Sequence, residues 1–179
     1  MSAEPDPAAP LPASPQADPL QAGPLLGRGA CIDALRAGLL AMADDPSGRQ
    51  LLWRDHDFEL WPLDEPEVLD ALGRWLRLPG RSITLLAADF DTLARQKARF
   101  ATWRRPRSHL VHAFRPAQWQ AADLGGLLLG SARAVQLLDR LHWRGRIVDE
   151  PATLVDFHQQ CDALMQRSEA AWPATTLGL

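Results

Sequence analysis

Lysine is almost absent from this chain. Lys97 is the single one among 19 basic residues, set against 22 acidic residues in a total of 179. The formal net charge is −3, which argues against a dedicated nucleic-acid binder, whose affinity rests on a strong positive field. Cysteine is scarce too. Cys31 and Cys161 lie far apart with no CxxC spacing, so neither a disulfide framework nor a thiolate zinc site is expected, and no metal or cofactor. No apolar run approaches the ~20 residues needed to cross a bilayer. The N-terminus has neither the basic start nor the apolar core of a signal peptide. Together these absences predict a cytoplasmic protein that does not engage a membrane.

What is present is an ordinary globular composition, 46% hydrophobic and 23% charged, preceded by a biased segment. Residues 1–24 hold seven of the 15 prolines among Ala, Ser and Asp. Such a segment buries too little surface to offset its ordering entropy and is expected to be disordered. A single α/β domain is expected over residues 25–172, with a C-terminal tail at 173–179.

Within the domain, Ile32, Leu35, Leu39 and Met42 recur at helical spacing and predict a helix over residues 29–43. The segment RQLLWR follows as a short strand running into the polar cluster Asp55-His56-Asp57. WPLDEPEVLDALGRWLRLPG then predicts a helix with Asp64 as its cap, Glu67 completing a capping box and Pro79-Gly80 as its stop. RSITLLAADF is read as a buried strand, DTLARQKARFATWRR as one helix, and SHLVHAF as a strand. Residues 125–140, GGLLLGSARAVQLLDR, form a hairpin. A strand at RIVDEP precedes a long last helix from Pro151 with the stripe Leu154, Phe157, Cys161, Leu164, Met165 and Trp172. Strands separated by helices imply crossover connections. The expected fold is a three-layer α/β/α domain with a mixed, mainly parallel sheet.

This order of elements resembles one half of the phospholipase D superfamily fold. The carriers are PEVLDALGRWLRLPG, RSITLLAADF and RIVDEPATLVDFHQQCDALM. Within that group, LDEPEVLDALGRWL, KARFATWRRPRSHLVHA and RSEAAWPATTLGL make the chain similar to a family of uncharacterised bacterial proteins. The resemblance implies a homodimer, because two such halves pack to form one site. The superfamily's chemistry needs HxKxxxxD, in which His attacks phosphorus and Lys holds the phosphate oxygens. Arg95 stands two positions before Lys97, so no HxK exists. If Gly130-Ser131 match the superfamily's downstream Gly-Ser, the expected Asn is missing. If GSAR is instead the hairpin turn, which pairs strands of similar length, the His and Lys positions fall on Leu124 and Gly126. In both registers the nucleophile is absent, and no catalytic residue is assigned.

Candidate ligand-binding residues are Arg54, Asp55, His56 and Asp57 where the first strand runs out, with Asp89 at the end of the next. In open α/β sheets ligands favour the carboxyl ends of strands. Arg104, with Arg105 and Arg107 after Trp103, could hold phosphate through bidentate contacts, although basic residues also suit a helix C-terminus. His109 is a further ligand-binding candidate; it and His112 lie on a predicted strand and face opposite sides, which argues against a metal pair. Trp172 is expected to anchor the C-terminal segment. The leading expectation is a non-catalytic binding or interaction domain for a protein partner or a phosphate-bearing ligand. The alternatives are an enzyme using Asp55, His56, Asp57 and Asp89 as acid–base groups, and a weak nucleic-acid binder acting through Arg104, Arg105 and Arg107.

Overall fold

A computed structural model of the chain describes residues 19–173. The first 18 residues of the proline-rich segment, and all but the first residue of the C-terminal tail, lie outside the described residues. In chain order the elements are β1 (Gly23–Leu26), α1 (Arg28–Asp44), β2 (Gln50–Arg54), α2 (Pro66–Trp75), β3 (Ser82–Leu86), α3 (Phe90–Gln96), α4 (Ala98–Arg104), β4 (Val111–Pro116), β5 (Leu127–Leu129), β6 (Ala134–Asp139), β7 (Arg144–Val148), α5 (Pro151–Met165) and β8 (Ser168–Ala170). The strands form one eight-stranded sheet in the order β1-β7-β6-β5-β2-β3-β4-β8.

Helices cover both faces of this sheet, and the period-2 alternation of its strands shows how. Leu51 and Trp53 of β2, Ile83 and Leu85 of β3, and Leu128 of β5 belong to the larger core, together with α1, α2 and α4. Leu52, Leu86, Leu127 and Leu129 point the other way, onto Leu154, Phe157, Cys161 and Leu164 of α5. Successive side chains on a strand alternate between faces, so a central strand buried on both sides reads as a nearly continuous apolar run. ITLL and LLL are such runs.

The sheet is not mainly parallel, as the sequence had suggested. Only β2–β3 and β3–β4 pair in parallel; the other five pairings are antiparallel. The reason is connection length. Parallel neighbours require a crossover of a dozen or more residues, and between adjacent strands only α2 and the α3–α4 pair supply one, since α1 and α5 join strands that do not lie side by side. The segments joining β5 to β6 and β6 to β7 are four-residue turns, which permit only antiparallel return. The expected GSAR turn is the first of these, with Gly130 N–H donating to the Arg133 carbonyl at 3.0 Å. Strands β1 and β8, at the two sheet edges, carry no apolar alternation strong enough to have been legible.

Helix ends differ from expectation in an instructive way. Helix α2 begins at Pro66 with Glu65 as its N-cap and no side-chain cap. Glu65 instead binds Arg36 of α1 through two hydrogen bonds of 2.6 and 2.8 Å. Asp64, the expected cap of α2, accepts the Phe100 N–H at 3.0 Å. Phe100 is the third residue of α4, so Asp64 caps a different helix across 36 residues of chain. The single helix expected from Asp91 onward is accordingly two. Lys97 breaks it with φ −116° and ψ 60°, and Asp64 caps the start of the second.

β7 is hemmed in between β1 and β6 at Gly145, where a Cβ would lie 2.7 Å from the Gln136 carbonyl oxygen. A backbone atom cannot swing aside as a side-chain tip can. Gly145→Ala is expected to lower unfolding stability by about 1–3 kcal/mol through overpacking, read as a reduced urea midpoint with unchanged slope.

Candidate functional site

The polar cluster lies where β2, β3 and β6 reach the same end of the sheet. Strand periodicity separates its first two members. Arg54 continues the face of Leu52, is 5% exposed under α5, and donates Nε–H to the Gly125 carbonyl at 3.2 Å. Its charge lies beside Cys161, whose thiol burial pushes up to about 11, with Arg54 opposing the rise. Asp55 continues the face of Trp53 and is fully buried.

Asp55 is saturated with donors. Oδ1 accepts from the Asp57 and Phe58 backbone N–H groups, each at 3.2 Å, and from Arg140 at 3.1 Å. Oδ2 accepts from the Trp61 indole N–H at 3.0 Å. Burial pushes the carboxyl above the usual carboxylate range, and the Arg140 guanidinium and the Trp61 N–H pull against that rise. Phe58 adopts φ 56° as the chain turns tightly around this carboxylate. The approach of Arg140 from the β6–β7 turn crosses the end of β5 at Gly126. A Cβ there would sit 2.9 Å from Asp55 Oδ2 and 2.9 Å from Leu137 Cδ1.

Asp57 shares the same guanidinium, with Arg140 donating to its Oδ1 at 2.9 Å. It also accepts the Glu59 N–H at 3.0 Å. Burial opposes its ionisation, but hydrogen bonds from Glu59 N–H, Arg140 and His56 together hold its carboxyl below the usual range. His56 Nδ1 lies 3.4 Å from Asp57 Oδ2, and its ring meets Trp119 edge-on at 5.1 Å. The His56 carbonyl accepts the N–H groups of Ala88 and Asp89, which ties the ends of β2 and β3 together. The Asp89 carboxylate caps α3, accepting from Asp91 N–H, Thr92 N–H and the Thr92 hydroxyl. The Thr92 hydroxyl chiefly holds its pKa low.

The arginine triplet is not a free basic patch. Arg104 is buried, donating to the carbonyls of Val111 and Trp172 at 3.2 and 2.8 Å and stacking on the Trp172 ring at 4.5 Å. Arg107 stacks on Trp103 at 4.7 Å and donates to its carbonyl at 2.7 Å. Arg105 alone of the three is exposed without a partner among the described residues. His109 is exposed in the turn before β4, while His112 is half-buried on that strand. Trp172 is anchored as expected, stacked on Phe90 at 5.7 Å. Among the described residues no group of three His, Cys, Asp or Glu side chains converges to hold a metal. No helix there is long and apolar enough to cross a membrane.

The structure brings Asp55, His56, Asp57 and Asp89 together at one end of the sheet. Arg54 and Arg104 point into separate parts of the fold, and His109 joins neither. The missed residues are Arg140, Trp61, Trp119 and Gly126. The only signal for Arg140 was a charged residue placed after an apolar strand, and that is common.

Two consequences are measurable. Removing the shared guanidinium by Arg140→Gln leaves a buried carboxylate without its counter-charge and is expected to cost about 3 kcal/mol, measured by urea unfolding. Asp57 ionises more readily folded than unfolded. Its contribution is complete above the unfolded carboxylate pKa and is lost as pH falls through the lower folded value. The stability gap between the natural chain and Asp57→Asn is expected to narrow as pH is lowered from about 6 to about 3. A gap independent of pH would contradict this.

No family model and no curated protein matches the chain. Nine chains of solved structures match. One carries the description "Structure of TrmBL2, an archaeal chromatin protein, shows a novel mode of DNA binding". The two share 12% identity over 92% of this chain, with a TM-score of 0.59, and the match spans 57% of that chain's length. At such identity the likeness shows the fold alone. These findings overturn the phospholipase D-like expectation, which no match supports, and the homodimer inferred from it loses its basis. What stands is an α/β domain, with a mostly antiparallel sheet, similar in fold to part of an archaeal chromatin protein.

Proposed function

We propose that this domain binds a ligand or partner and does not transform it. The observation that carries this reading is the saturation of Asp55 by two backbone N–H groups, an indole N–H and a guanidinium. An acid–base carboxylate must reach the proton it transfers. Here one carboxylate is enclosed, Asp89 caps a helix, and Asp57 is bridged to the enclosed one through Arg140. His56 has 44% of its side chain exposed, and its neighbours orient backbone rather than a reacting atom.

The description of the similar structure supplies a second reading, association with DNA. Of Arg104, Arg105 and Arg107, only Arg105 is exposed on the surface where an extended phosphate backbone would lie, so this reading does not rest on that triplet. Both readings can be put to one preparation of the full chain. Turnover of a chromogenic phosphodiester is expected to stay at the uncatalysed rate, and His56→Ala is expected to change nothing. Hydrolysis abolished by His56→Ala or Asp57→Asn would refute the binding reading. Binding of a DNA duplex that weakens steeply with salt would establish the second reading.

A further inference from the structure

A cleft of about 760 Å³ runs between the α3–α4 pair and the β4–β8 edge of the sheet, and none of Asp55, His56, Asp57, Asp89 or Arg140 lines it. Its volume falls within the ~300–1,000 Å³ typical of small-molecule sites. Arg104 lines it, as do Arg105 and Arg115, with Phe90 and Trp172. Arg104 is only 5% exposed, yet no carboxylate pairs with it among the described residues. Two of its five N–H groups are used, by the Val111 and Trp172 carbonyls. A guanidinium offers five donors in a planar fork and no acceptor, so three remain. Burying a charge without a counter-charge is costly, and desolvation pulls its pKa down with no opposing anion. Arg105 and Arg115 are exposed on the same cleft, and neither forms an ion pair among the described residues.

We propose that this cleft is an anion site for a small ligand bearing a phosphate or carboxylate, with Arg104 as its buried fork and Arg105 and Arg115 closing on it from the rim. The proposal rests on the binding reading above and gives that reading a place and a ligand class. The ligand is small because the rim also carries Asp91 and Glu169, Glu169 lying directly across from Arg115 in the β4–β8 register. An extended polyanion such as DNA would lay further phosphates against these carboxylates, whereas a compact anion reaches the guanidiniums between them. Phe90 and Trp172 provide an apolar wall for the rest of such a ligand.

Isothermal titration of the full chain with pyrophosphate, citrate and a short DNA duplex tests this and separates phosphate from carboxylate recognition. Pyrophosphate or citrate is expected to bind one to one, and Arg105→Ala and Arg115→Ala are each expected to weaken it about tenfold, as loss of a charge-assisted hydrogen bond does. Both positions are exposed, so these variants keep the fold; Arg104→Lys, which retains charge but not the fork, is expected to weaken binding as well. Absence of binding by both small anions, or binding indifferent to Arg105→Ala and Arg115→Ala, would overturn the site. So would binding confined to the duplex. Hydrolysis of pyrophosphate during the titration would overturn the non-catalytic reading while leaving the site in place, so the two failures are distinguishable.

Discussion

One buried carboxylate organises an end of this molecule. Asp55 lies at the tip of a central strand, and two segments close over it: the loop that follows it directly, through Phe58 and the Trp61 indole, and the β6–β7 turn carrying Arg140 from 85 residues away. A buried ion pair is weak evidence for stability, because desolvation offsets much of the attraction. Its effect here is on arrangement: the donors of the local loop stay with Asp55 in any pairing, whereas the Arg140 contact requires β6 to lie where the β2–β5 pairing puts it. Gly126 belongs to the same constraint, because any side chain there would occupy the space in which Asp55 sits.

The same constraint ties the acidic residues of this constellation into the architecture. Asp, His and Asp at a strand end satisfy the pattern of an acid–base site, but pattern says nothing about how many donors each oxygen already has. In this fold the acidic residues fix chain direction, while the less conspicuous Arg104, far along the sequence, has spare donors and no counter-charge among the described residues. Polar groups with satisfied partners hold the protein together. A charge with partners missing is where recognition has room to occur.

The legible part of the fold followed from local chemistry. The apolar runs ITLL and LLL, the α2 stripe and the α5 stripe depend on burial of neighbouring residues, and each lies close to where its pattern placed it. Sheet direction was not legible in the helix-length connections, because the two four-residue turns set the antiparallel half. The break at Lys97 could not have been read, since the group that caps α4 is Asp64, whose spacing to Glu67 also fits a cap for α2. Asp55, His56, Asp57 and Asp89 were placed at one end of the sheet because consecutive strand ends meet there. Arg140 was invisible because its partner depends on which strand lies beside which, a property of topology and not of spacing.

The two margins of the sheet have a consequence for self-association. On one side β1 is four residues long and contains Pro24, which has no N–H to offer. On the other β8 is three residues long, with Glu169 at its centre. Short margins interrupted by proline or charge are poor templates for another strand. Growth of the sheet from molecule to molecule is therefore discouraged at both ends, and the layered core stays closed to edge-to-edge stacking.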